Sequence, residues 1–212
     1  MNKSLLLLSV ALYLGLNSSN AQTTYGLKAG VNLSKFSNPI DEELEDYETN
    51  KVAFHVTAFA DIPVAKQFSI QPGLSLQSKG TLYKATEGGN SASASIHLMS
   101  LEIPVNAVYY FPVSYGDLFA GAGPYISYNL SGKAKEVLNG KTEKNTKIKF
   151  TGNEKDMNAL DYGANFLIGY KLPSGLLINA GYGLGLANIS PYDTDKTKFA
   201  NRVLSFGIGF QF

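Results

Sequence analysis

The chain has 212 residues, 44% hydrophobic and 17% charged, with a formal net charge of +1. That length allows one or two domains with a sizeable core, and 12% aromatics at so little charge excludes a disordered chain. There is no global basic field to gather nucleic acid, no cysteine for disulfides, thiolate catalysis or Cys-based zinc sites, and only His55 and His97 as histidines, too few for a multi-histidine metal centre.

The first 21 residues read as a secretory signal peptide. Lys3 supplies the positive n-region. Leu5 to Leu16 is an apolar stretch of 12 residues, broken only by Ser9 and Gly15. Ser19 and Ala21 are the small residues before the expected cleavage point, between Ala21 and Gln22. Twelve residues are too few to span about 30 Å of hydrocarbon as an anchor helix. No cysteine follows to carry a lipid anchor. Residues 22–212 then form one domain, with 17 basic and 17 acidic residues once Lys3 is removed.

The mature chain shows no helical periodicity; it alternates with period two, which puts successive side chains on opposite faces of a strand. From Tyr25 to Phe36, Tyr25, Leu27, Ala29, Val31 and Leu33 oppose Gly26, Lys28, Gly30, Asn32 and Ser34. From Lys51 to Ile62, Val52, Phe54, Val56, Ala58, Ala60 and Ile62 share a face opposite His55, Thr57 and Asp61. Further alternating segments run from Phe68 to Gln77, Met99 to Tyr109, Leu118 to Asn129, Leu160 to Lys171, Leu176 to Leu186 and Leu204 to Phe212. Most of these eight strands approach or exceed the roughly 9–11 residues that a tilted strand needs to cross a bilayer, against a mean near 5–6 in soluble proteins. Pro72, Pro104 and Pro124 fall inside strands and remove ladder donors, so bulges or irregular bonding are expected there.

The connections alternate in length. Those at 62–68, 111–118 and 172–176 are short and carry Pro63, Pro112, Gly116, Pro173 and Gly175. Those at 36–51, 77–99, 130–159 and 187–199 are long. The pattern is an antiparallel up-and-down meander with every long loop at one end, as in transmembrane β-barrels with periplasmic turns and extracellular loops. The second face is mainly Gly, Ser, Asn and Gln. It suits a crowded lumen better than the charged exterior that a soluble lipocalin-like carrier needs. The wide uncharged apolar face suits lipid. Two aromatic girdles are expected: Tyr25, Phe68, Tyr109, Phe111, Tyr170 and Phe212 at the turn end, and Phe36, Phe54, Tyr128, Tyr162 and Phe199 at the loop end.

The chain ends on Phe212, with Phe210 and Phe206 on the same face, and this resembles the C-terminal aromatic signal that barrel-insertion machinery reads. Tyr25-Gly26-Leu27-Lys28-Ala29-Gly30-Val31-Asn32 resembles the opening strand of the PorT-like outer-membrane barrel family. Leu101-Glu102-Ile103-Pro104-Val105, Gly121-Ala122-Gly123-Pro124-Tyr125 and the stretch from Gly183 to Ile189 resemble later strands of that family. The resemblance implies an OmpA- or OmpX-like barrel in the outer membrane of Bacteroidetes-type bacteria. It also implies an accessory role in protein secretion, through the family's namesake.

Catalysis would need a nucleophile, a base and an orienting acid on neighbouring strands. The candidates are His55 or His97 with Ser100 and Glu102. Ser100 and Glu102 point inward, away from any lipid substrate, so a non-enzymatic protein without cofactor is expected. His55 with Glu102, and Lys28 with Asp61, are expected lumen pairs, because a buried carboxylate needs partners. A plugged interior follows, since eight strands leave room only for side chains; a small pore or ligand-binding barrel is the alternative. Loop residues 41–48 hold six acids without EF-hand spacing and read as a solvated face more readily than a calcium site. Residues 131–158 hold seven Lys against three Glu and one Asp. The expected partners are outer-membrane lipid and lipopolysaccharide, the insertion machinery and a cell-envelope or secretion protein, with the barrel as a monomer.

Overall fold

The computed structural model describes residues 22–37, 47–152, 154–191 and 199–212. The expected signal peptide up to Ala21 and the acidic stretch 41–46 lie outside the described residues. The strands are β1 (Thr24–Ser37), β2 (Glu48–Thr49), β3 (Lys51–Ala65), β4 (Phe68–Glu87), β5 (Asn90–Val113), β6 (Gly116–Leu138), β7 (Lys141–Lys147), β8 (Leu160–Lys171), β9 (Leu176–Gly185) and β10 (Ala200–Gln211). Eight of them pair in a ring, in the order β1, β3, β4, β5, β6, β8, β9, β10 and back to β1, every pair antiparallel. The ring is the expected all-β, eight-stranded antiparallel up-and-down barrel. β2 and β7 pair onto β4 and β6 outside it.

The apolar face points outward all round the barrel. Leu27, Val56, Ile103, Ile126, Ile168, Ile178 and Ile208 are exposed, and Asn32, Ser75, Ser100, Glu102, Ser127 and Asp161 are buried. That distribution is the reverse of a soluble carrier with an apolar interior. The C-terminal Phe206, Phe210 and Phe212 lie on the outward face.

The loop end departs from the expected girdle. Phe54, Tyr128 and Tyr162 are exposed, but Phe36 is buried and packs on Phe199 at a ring distance of 6.4 Å. Phe36 has even parity on β1, so it shares the lumen face with Asn32 and Ser34.

Pro72, Pro104 and Pro124 interrupt the ladders without shifting them. The β3–β4 pairing passes from Ile62↔Ile70 to Phe59↔Gly73, skipping Pro72 in the same register. The β4–β5 pairing passes from Pro72↔Val105 to Ser75↔Glu102, and the β5–β6 pairing from Pro104↔Tyr125 to Ala107↔Ala122. A residue without an N–H cannot complete its rung. The bulges sit elsewhere, at Pro63/Ala65, Met99/Ser100 and Glu136/Val137.

Two of the expected long loops are sheet. β4, β5 and β6 run for 20, 24 and 23 residues, about twice a crossing length. β4 turns into β5 at Gly88 (φ 56°) and Gly89 (φ 83°), and β6 into β7 at Asn139 (φ 49°) and Gly140 (φ 78°). Two consecutive positive φ angles make the two-residue turn that matches strand twist. The strands thus continue as a blade ordered β2-β4-β5-β6-β7. On β5 the outward apolar run stops at Met99, and the nine residues up to Asn90 extend about 30 Å along the strand.

Inside, glycines act as notches for rings. A side chain on Gly26 would meet the Phe59 ring, one on Gly163 the Tyr125 ring and one on Gly169 the Phe119 ring. Gly169→Leu should therefore lower the unfolding midpoint of the detergent-solubilised barrel, by the roughly 1–3 kcal/mol typical of overpacking. The boiled-against-unboiled gel shift measured over a temperature series checks it.

Candidate functional site

The lumen is filled at four levels. At the turn end, Asp61 is buried and accepts hydrogen bonds from Gln71 (2.8 Å), Tyr110 (3.1 Å), Ser69 (3.3 Å) and Gln211 (3.3 Å). Above it lies an apolar layer of Phe59, Val108, Phe119 and Leu177. A polar layer follows. An apolar cap of Phe36, Leu98, Met157 and Ile189 closes the loop end, with Ile96, Ile148, Phe150 and Phe199 packed on it. The cap is held by Asn158, whose Nδ2 donates to Asn188 O (2.9 Å) and Ser190 O (2.8 Å).

The polar layer holds the charges. Lys79 on β4 reaches Glu102 on β5 at 2.6 Å and Asp161 on β8 at 3.8 Å, with all three side chains at most 4% exposed. The ammonium also lies 4.8 Å from the Tyr125 ring centroid. Asn165 Nδ2 donates to the second Glu102 oxygen (3.2 Å), and Asn201 Nδ2 and the Tyr125 hydroxyl donate to Asp161 Oδ2 (2.8 and 3.4 Å). A buried charge is tolerated when ion pairs and hydrogen bonds together replace its water.

The expected pairs form differently. His55 and Glu102 are both buried and both face the lumen. No ion pair or hydrogen bond joins them among the described residues. Glu102 has Lys79 instead, and His55 Nδ1–H donates to Asn32 Oδ1 (2.9 Å). Asn32 Nδ2 in turn donates to Gln77 Oε1 (2.8 Å), Ser78 O (3.0 Å) and Phe54 O (3.3 Å), tying β1 to β3 and β4. No ion pair or hydrogen bond joins Lys28 to Asp61 among the described residues. Its Nζ lies over the Phe59 ring, 4.6 Å from the centroid, while neutral donors supply Asp61. Phe59 lies two residues from Asp61 on the same face of β3 and takes the ammonium on its ring.

Lys79 escaped the sequence reading because Gln77 to Thr81 is polar throughout, so no alternation marks the continuing strand. Its odd parity with Ser75 and Gln77 is the signal that would have placed it inward. The polar layer also encloses a cavity of about 90 Å³, bordered by Lys28, His55, Asn106, Asn165 and Asn179. The candidate residues His97, Ser100 and Glu102 are held apart from one another. Ser100 donates to Asn129 Oδ1 (2.6 Å), Glu102 is held by Lys79, and His97 sits on the opposite face of β5 from both. Burial, with Lys51 and Lys133 nearby, holds the His97 imidazole below its ordinary pKa.

Outside the barrel, the inner face of the blade forms a concavity of about 470 Å³ bordered by Tyr47, Tyr83, Ala92, Ala94, Glu136 and Leu138. Tyr47 and Leu138 are 46% and 49% exposed, beyond the outward apolar run.

The sequence matches the family described as "Outer membrane protein beta-barrel domain" over residues 17–190. No curated protein matches it. Among solved structures it is similar to Neisserial surface protein A, at 13% identity and a TM-score of 0.45, covering 91% of this chain and 100% of that one. It is also similar to Ail, the attachment invasion locus protein of Yersinia pestis (12% identity, TM-score 0.42, 91% of this chain and 100% of that one). The N-terminal β-barrel domain of Pseudomonas aeruginosa OprF is a third similar structure (9% identity, TM-score 0.39, 90% and 100%).

Lys79→Met leaves the Glu102 and Asp161 carboxylates buried without their cation and should destabilise the barrel by roughly 3 kcal/mol. Glu102→Gln keeps the Lys79–Asp161 pair and should cost less than Lys79→Met. Chemical denaturation of the refolded protein in detergent micelles, followed by circular dichroism, checks the order.

Proposed function

This chain belongs to the family of outer membrane protein beta-barrel domains and lies in the outer membrane of a Gram-negative bacterium, and from that premise we propose that it is a non-enzymatic interaction protein. The periplasmic side carries the turns and both chain ends. The extracellular side carries the blade, which engages a cell-envelope or external protein. The observation that carries this reading is the continuation of β4, β5 and β6 far beyond the apolar belt.

Two features support it. The lumen is filled by side chains at four levels, which argues against transport. The blade bears exposed Tyr47 and Leu138 around a concave face where no acyl chain covers them. The edge strand β7, Lys-Thr-Glu-Lys-Asn-Thr-Lys, is exposed along its whole length, and its lysines discourage indiscriminate strand addition. The resemblance of the strand motifs to PorT-like barrels supports a narrower version, in which the partner belongs to a protein-secretion apparatus.

The test is photo-cross-linking from Tyr83 and Leu138 in intact cells, comparing the full protein with one whose β4–β5 and β6–β7 hairpins are shortened to the membrane boundary. The shortened protein should remain heat-modifiable and lose its cross-linked partner. Cross-links that persist without the blade would contradict the proposal. Purified protein in planar bilayers should show no discrete conductance steps, and steady unitary currents would favour a pore instead.

A further inference from the structure

Three adjacent strands place His97, Lys133 and Lys147 side by side, through the pairs His97↔Lys133 and Lys133↔Lys147. Leu98 and Gly132, their next neighbours on β5 and β6, face the apolar cap. Alternation therefore turns His97 and Lys133 outward. Lys51 of β3 lies near His97. Its stem passes Gly80, the partner of His97, so closely that a Cβ there would lie 3.1 Å from Lys51 Cδ. Lys135, paired with Ser95, adds a further cation one alternation up.

Among the described residues no carboxylate forms an ion pair with Lys51, Lys133, Lys135 or Lys147. The outward residues of β5 beyond His97 are Ser95, Ser93 and Ser91, which bring hydroxyls and no acid. Immediately towards the membrane the same face turns apolar, with Met99, Leu101, Tyr128 and Leu130; the last three are 36%, 49% and 53% exposed. Cations and hydroxyls thus sit directly above a wall that faces hydrocarbon. A soluble anion would use only the upper half of this arrangement, whereas an amphiphile uses both.

We infer that this patch binds the phosphate-bearing headgroup of an outer-leaflet lipid, whose acyl chains lie along Met99, Leu101 and Tyr128. The inference rests on the orientation proposed above, with the blade outside the cell. Each cation near a membrane surface is worth about a fivefold change in binding of an anionic headgroup.

The experiment titrates fluorescent diphosphoryl lipid A into the full protein in neutral detergent micelles. The wild type should bind saturably, and K133Q/K147Q should weaken binding about 30-fold, on the scale of roughly fivefold per cation. K141Q/K144Q removes the same charge from β7 nearer its tip and should leave binding unchanged. Equal loss in both variants would reduce the effect to net charge and overturn the site. Competition by excess inorganic phosphate as effective as unlabelled lipid A would make it a free-anion site and overturn the lipid assignment. Surface labelling of a tag inserted between Gly88 and Gly89 tests the orientation separately. A tag reached only after permeabilisation would refute the proposed orientation without altering the micelle titration.

Discussion

The pairing of β1 with β10 is the interaction on which the rest depends. Hydrocarbon offers no hydrogen-bond partner, so each backbone N–H and C=O of a spanning strand needs one in the sheet. The register from Gly26↔Gln211 to Ser37↔Ala200 supplies it and joins the two ends of the meander. The reciprocal bonds between Tyr25 and Phe212 finish the seam at 3.1 and 2.8 Å. An open sheet would leave two rows of unpaired groups in lipid, and the apolar exterior would have no stable surroundings.

Closure of only eight strands sets the interior. The lumen is too narrow for water to solvate charges freely, so its side chains must satisfy each other. Lys79 answers Glu102 and Asp161, Asn32 and Gln77 carry the chain of hydrogen bonds from His55, and Asp61 is served by neutral donors. Large rings fit only where the facing strand has no side chain, which is why Phe59, Tyr125 and Phe119 rest on Gly26, Gly163 and Gly169. Apolar layers above and below separate this polar core from both membrane faces. The same economy of space leaves the extramembrane strands as the part of the molecule with exposed side chains beyond the apolar belt.

The barrel was legible because lipid contact imposes an unbroken apolar outer face, and Val52 to Ile62 and Met99 to Tyr109 display it at every second residue, with only Ala53, Phe59 and Val108 apolar on the lumen side. Strand count, order and the facing of Glu102 and His55 follow from that alternation. Beyond the membrane the constraint lapses. Gln77 to Thr81 is polar on both faces and Asn90 to Ser95 alternates only alanine with serine, so β4 and β5 read as a loop where they are sheet. Lys79 lies in that stretch, so alternation alone offers Glu102 only His55. The bulge at Met99/Ser100 also shifts the phase of β6 relative to β5, and composition gives no sign of it. Phe36 and Phe199 carry no mark that distinguishes a cap residue from a girdle residue, since both environments favour aromatics.

The natural absence of cysteine makes the central claim directly measurable. Single cysteines placed in turn from Val56 to Ile62 of β3, spin-labelled and reconstituted in bilayers, report collision with membrane-dissolved oxygen. A sealed barrel in lipid predicts high oxygen accessibility at positions 56, 58, 60 and 62 and low accessibility at 57, 59 and 61. Accessibility without that alternation, or with its phase inverted, would contradict the account.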